Sequence, residues 1–226
     1  ITILSIIMSI TVYVALQSFS GLLDTSRAVQ EMHTGDYAVT NETGGILPEA
    51  VMELKKRDEV KELYTTKLSI YTWNKDGSFP LPLDFPLQSW ETFQIAGIDD
   101  SRLEEFLSGL SDQAAEDVKN GTACLIHNPI PFSFEGQTAE STQFQPGDAL
   151  TINGKSLHAA GIIRSPVTIN NDGYINGVQI LVPDSVYDTL TGKNLYSEIY
   201  PVLQNAEDFD IFEAWLEQWC SSNPGT

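Results

Sequence analysis

The sequence predicts an α+β fold: strand–helix units at both chain ends, a more β-rich stretch between them, and a long helix in front. Three observations predict it. Residues 37–73 read strand–helix–strand and residues 196–220 read strand–helix, while the stretch between them is dense in β-formers, prolines and turns. Residues 1–33 contain no proline and keep apolar positions at helical spacing. The chain has 226 residues, 42% hydrophobic and 10% aromatic, which is enough to bury a core and excludes wholesale disorder.

Charge narrows the function classes. Twelve Lys and Arg stand against 31 Asp and Glu, a formal net charge of -19. Long-range repulsion of phosphate argues against a nucleic-acid partner and disfavours an anionic lipid surface. A Lys-poor, acidic chain also suits an extracellular setting.

No Asp, Glu, Lys, Arg or His occurs before Asp24, and Ile1–Leu16 is almost continuously apolar, broken only by Ser and Thr hydroxyls that bond back to a helix at little cost in lipid. Sixteen helical residues rise about 24 Å, most of the way across a hydrocarbon core of about 30 Å. The run therefore reads as the outer end of a first membrane helix. A buried core helix is the competing reading; a signal peptide would need a basic start and a small-residue cleavage site, and neither is visible. Beyond it, Phe19, Leu22, Leu23, Val29 and Met32 fall near i, i+3, i+4 spacing, an amphipathic stalk that Thr34-Gly35 would stop near His33. Residues 1–33 are thus assigned to helix and stalk and 34–226 to a folded domain, in which 34–75 and 196–226 bracket the β-rich stretch 76–195.

The elements follow in order. Residues 37–41 form a short strand, and 47–56 a helix opened by Pro48 with Val51 and Leu54 inward. Residues 60–73 form a strand; 74–89, with Pro80, Pro82 and Pro86, form a loop with room for an edge strand. A strand over 90–97 precedes a helix over 99–107 capped by Asp99 or Asp100, a helix over 111–120 stopped by Gly121, and a buried strand over 122–127. Asn153-Gly154 joins strands 149–153 and 156–163 as a hairpin, because both residues accept positive φ. After a turn at Asn170–Gly173 come a strand over 177–182 and a short helix capped by Asp184 or Ser185 and closed by Gly192. A strand over 196–203 and an amphipathic helix over 207–220, burying Phe209, Phe212, Trp215, Leu216 and Trp219, complete the reading.

Catalytic signatures are missing from the sequence. No GxSxG, GxxxxGK[ST] or GxGxxG occurs, and His33, His127 and His158 stand apart with no metal-ligand spacing. Asp99-Asp100 and Glu104-Glu105 imitate a carboxylate pair, but capping and a solvated face account for them better. Asn170–Gly173 lacks the spaced acidic ligands of a calcium loop. Cys124 sits in an apolar run as a small hydrophobe; pairing with Cys220 is the alternative outside the cell. The expectation is a protein that is not an enzyme, with no catalytic, cofactor-binding or metal-binding residues.

The order of segments is more informative than any one motif. After the apolar start come Gly35-Asp-Tyr-Ala-Val-Thr40, Phe93-Gln-Ile-Ala-Gly-Ile-Asp99 and Thr122-Ala-Cys-Leu-Ile126. Gln145-Pro-Gly-Asp-Ala-Leu-Thr-Ile-Asn-Gly-Lys155 follows, then Ala160-Gly-Ile-Ile163 and Ile180-Leu-Val-Pro-Asp-Ser-Val-Tyr187. The pattern resembles the extracellular domain between the first two membrane helices of FtsX-like, MacB-type ABC transporter permeases of Gram-positive bacteria. The resemblance covers nearly the whole chain, as a loose pattern rather than a catalytic signature. It implies a porter-like α/β part made from both ends with an inserted subdomain, and a four-helix permease in the cell membrane. It further implies a permease dimer, a separate cytoplasmic ATPase subunit that uses the ATP, and efflux, dislodging or signalling at the outer face with peptide, lipid-linked or cell-wall partners.

Two functional readings follow: a transporter's external domain that couples motion to recognition, or a membrane-anchored binding or sensor domain with no ATPase. For partner contact the sequence nominates Phe79, Leu81, Leu83 and Phe85 in the apolar, proline-rich stretch 79–87. That stretch either lies over the core as an edge or forms an exposed surface that engages a cationic peptide.

Overall fold

A computed structural model describes residues 35–41, 45–129, 133–134, 137–138, 140–164, 167 and 177–223. The expected membrane helix and stalk, His33 and the turn at Asn170–Gly173 lie outside the described residues. Among the described residues, no helix is long and apolar enough to cross a membrane.

The first half of the chain runs β1 (Val39–Thr40), α1 (Pro48–Lys55), β2 (Val60–Tyr71), β3 (Thr92–Ile98), α2 (Asp100–Leu107), α3 (Asp112–Lys119) and β4 (Ala123–His127). The second runs β5 (Ser133–Phe134), β6 (Gln137–Thr138), β7 (Ala149–Ile152), β8 (Lys155–Ile162), β9 (Gly177–Pro183), α4 (Asp184–Thr191), β10 (Glu198–Leu203) and α5 (Phe209–Ser222), with a 3-10 turn at Ala206–Asp208 leading into α5. β5 and β6 pair as a small separate hairpin; the other eight strands form one mixed sheet in the order β1-β10-β2-β3-β9-β4-β8-β7. Among the described residues only β3/β9 and β4/β8 are parallel.

Strand sequence decides position in that sheet. β4 and β9 are apolar runs buried at every residue, and both lie in its interior, covered on two faces. On one face Phe93, Ile95, Ile126, Val178 and Ile180 pack under α4 and the hairpin residues Leu150, Ile152 and Leu157. On the other, Ala96, Ile98, Leu125 and Leu181 meet Leu103, Leu107 and Val118 of α2 and α3. A third apolar cluster joins the two ends of the chain: Val39, Ile46, Val51 and Leu54 pack with Ile199, Leu203, Phe212, Leu216 and Trp219.

Local chemistry sets the element boundaries. Asp99 caps α2 by accepting from Arg102 N, and Ser111 caps α3 by accepting from Ala114 N. Asn153 and Gly154 take φ of 50° and 80° in the β7–β8 turn. At Gly97 an added Cβ would stand 2.6 Å from Tyr187 Cβ, so the missing side chain is what lets α4 lie against β3. One expectation needs correcting: neither Asp184 nor Ser185 caps α4. Its N-cap is Pro183, which makes no side-chain capping bond, because β9 passes straight into the helix and Asp184 is already in its first turn. Gly192 ends α4 as expected, with φ of 67°.

Candidate functional site

Residues 79–87 form an extended strap along the outer edge of the sheet. Asp84 N donates to Thr151 O at 3.2 Å, Thr151 N to Asp84 Oδ1 at 2.6 Å, and Asn153 N to Pro82 O at 2.9 Å, while Leu83 bridges Ile152. The strap alternates with period two. Leu81 is buried, and Phe79, Leu83, Phe85 and Leu87 are half-buried against the core; Pro80, Pro82, Asp84 and Pro86 face outward. The four nominated residues thus share one inward-turned row. Phe85 meets Phe93 and Phe144 at ring-centre distances of 5.5 and 5.2 Å, and Phe79 meets Trp73 edge-on at 5.2 Å. Covering β7 with a proline-bearing strap protects what would be an open edge, since proline offers no N–H for further pairing.

The strap's far end is locked by a carboxylate. Glu91, 1% exposed, accepts from Thr142 N at 2.7 Å, Thr142 Oγ1 at 2.6 Å and Gln88 N at 2.9 Å. Three donors replace its lost hydration. Beside it Trp90 is 40% exposed, a large apolar surface next to the proline row.

A second polar assembly lies under α4. Lys67, only 2% exposed on β2, donates to Asp188 Oδ1 at 2.7 Å and Asn194 Oδ1 at 3.0 Å, with its ammonium 4.7 Å from the Tyr196 ring centre. Tyr187 shares a 2.7 Å hydrogen bond with Ser69. Burial pushes the Asp184 carboxyl up to about 6, against the opposing pull of Lys67, and its Oδ1 has no hydrogen-bond partner. Burial also raises the Tyr196 hydroxyl, to about 12. This assembly joins α4, β2 and the approach to β10, and its residue types are those of a structural lock. Sequence reasoning missed it, because a single Lys in a strand gives no sign of partners more than a hundred residues away.

The remaining candidates do not come together. Asp99 is occupied as a cap and as the acceptor for Thr65 N at 2.8 Å; Glu104 pairs with Lys119 at 2.5 Å on an exposed face. Arg102 is buried and donates to Thr66 Oγ1 at 2.7 Å and Val167 O at 3.2 Å. His127 is buried on β4, with its pKa lowered by that burial, while His158 lies 3.5 Å from Asp117 on α3. Burial pushes the Cys124 thiol up to about 12, and Cys124 and Cys220 belong to different apolar clusters. Among the described residues no group of His, Cys, Asp and Glu could hold a metal ion.

No protein-family model matches the sequence, and no curated protein matches it. Several solved structures are similar, two of which follow. The chain aligns with the extracellular domain of the noncanonic ABC-type transporter YknZ from Gram-positive bacteria at a TM-score of 0.45 and 16% identity, covering 74% of this chain and 78% of that one. It aligns with the periplasmic region of MacB from Actinobacillus actinomycetemcomitans at a TM-score of 0.45 and 11% identity, covering 81% of this chain and 82% of that one.

Proposed function

We propose that this chain is the extracellular domain of an ABC transporter permease subunit, which relays motion from a cytoplasmic ATPase to the outer face of the cell membrane. The observation that carries this reading is that the two end segments of the described chain meet in one cluster. Asp36 N donates to Pro201 O at 2.8 Å, β1 pairs with β10, and Tyr37 packs 5.3 Å from Phe212 of α5. The entering segment therefore sits against β10 and the first turn of α5, in an apolar cluster that both end segments share. Joining its two end segments suits a domain held between two membrane segments, and the uncharged residues 1–23 supply the apolar sequence for the first.

The same layout suits mechanical coupling. One hydrogen-bonded sheet runs from β1 beside the entry point to β7 and its strap, so displacement at the ends reaches the far edge through paired backbone. The outward row Pro80, Pro82, Asp84 and Pro86, with Trp90, is the partner-facing edge in this reading, and a cationic peptide is the partner that a -19 chain attracts. The division into an α/β part (34–75 with 196–226) and an insert (76–195) belongs to the same proposal.

The native reading frame beyond codon 226 tests it. Three further apolar runs of about 20 residues, the last two close together near the C-terminus, are the expected result. A frame that ends soon afterwards in soluble sequence would replace this reading with the single-span anchored binding domain.

A further inference from the structure

Helices α1 and α5 pack antiparallel. Trp219 Nε1 donates to Glu53 Oε2 at 3.1 Å, and just past the end of α1 the Arg57 guanidinium stands 4.7 Å from the Trp215 ring centre. Between the helices runs a groove of about 450 Å³, whose walls include Glu53, Lys56, Trp215, Gln218, Trp219 and Ser222. That volume lies within the range of small-molecule sites.

The lining selects a chemistry. Glu53 and Lys56 bring opposite charges, so the walls favour neither an anion nor a cation, although the chain as a whole is strongly acidic. Trp215 is half-buried and braced by Arg57, by Phe212 at 5.8 Å and by Trp219 at 6.1 Å, which holds the ring as a fixed apolar platform. Around it the polar groups are open to a ligand: among the described residues, neither the Lys56 ammonium nor the Gln218 side-chain amide has a hydrogen-bond partner. Ser222 Oγ donates to Gln218 O at 3.1 Å and keeps its lone pairs as acceptors. A rigid indole, an open amide, a hydroxyl and balanced charges match a neutral polyhydroxyl ring: C–H surface against the indole, hydroxyls to the polar groups.

We infer that the α1–α5 groove is a binding site for a neutral carbohydrate of roughly one or two sugar rings. This goes beyond the transport reading and does not depend on it.

The test titrates the 226-residue chain, in a sugar-free zwitterionic detergent, with chitotriose and separately with maltotriose while following tryptophan fluorescence. A saturable change with at least one of them, at a Kd of about 1 mM or tighter, is expected. Trp215→Ala and Gln218→Ala each weaken it roughly tenfold, and Ile162→Ala, on β8 and outside the groove, leaves it unchanged. If Trp215→Ala loses its circular dichroism, Gln218→Ala and Lys56→Ala, both at exposed positions, decide the matter. No saturation with either sugar up to about 10 mM, or saturation that survives the groove variants, overturns the inference.

Discussion

Lys67 and Asp184 show how far a side chain's role depends on what the fold brings to it. Lys67 is surrounded in sequence by Thr66 and Leu68, and nothing local marks it as buried and paired; Asp188 and Asn194 reach it only once α4 lies across β2 and β3. Removing its charge leaves Asp188 without its cation, but that carboxylate is 37% exposed and rehydrates, so Lys67→Met is expected to cost about 1 kcal/mol in urea unfolding at neutral pH. Asp184 acts in the opposite sense. Its carboxyl titrates near 6 in the folded chain against an ordinary 3.8, so the folded state holds its proton longer than the unfolded state. Stability from this group is complete below about pH 4 and is lost as pH rises through about 6, by up to about 3 kcal/mol. Asp184→Asn is therefore expected to be more stable than the parent at pH 7 and to flatten the pH dependence between those limits. Chemical unfolding at pH 4, 5, 6 and 7 measures both effects.

Elements were the most legible scale. Asp99 and Ser111 announce two helix starts, Asn153-Gly154 announces a hairpin and Gly192 announces a helix end, because each acts on neighbours within a few residues. The capping of α4 was misread for a physical reason: Asp184 looks like a cap in sequence, but its carboxylate is buried toward Lys67 and Tyr196 instead. The strap was half legible. Its prolines marked an edge, but only the period-two burial shows that Leu81 turns inward and Pro80 and Pro82 outward. Leu81→Ala should cost about 2–4 kcal/mol by opening a cavity beneath the strap, read as a lower urea midpoint at unchanged slope. Gly97→Ala should cost about 1–3 kcal/mol, since its Cβ would meet Tyr187 Cβ at 2.6 Å and push α4 off β3.

Across the whole molecule, the order of the sheet was the least legible feature. β9 enters between β3 and β4, parallel to one and antiparallel to the other, and β10 returns beside β1 and β2; no short-range pattern encodes either pairing. The meeting of the two chain ends could be expected from strand–helix patterns at both termini, but its shared core of Val39, Leu54, Ile199 and Phe212 became visible only in three dimensions. That shared core is the basis for proposing that the domain sits outside a membrane. Surface labelling tests the placement most directly. Trp90→Cys, in a Cys220→Ser background of the full-length protein, puts one exposed thiol beside the strap while Cys124 stays buried. The account predicts that a membrane-impermeant maleimide labels this thiol on intact cells; labelling only after the cells are broken would contradict it.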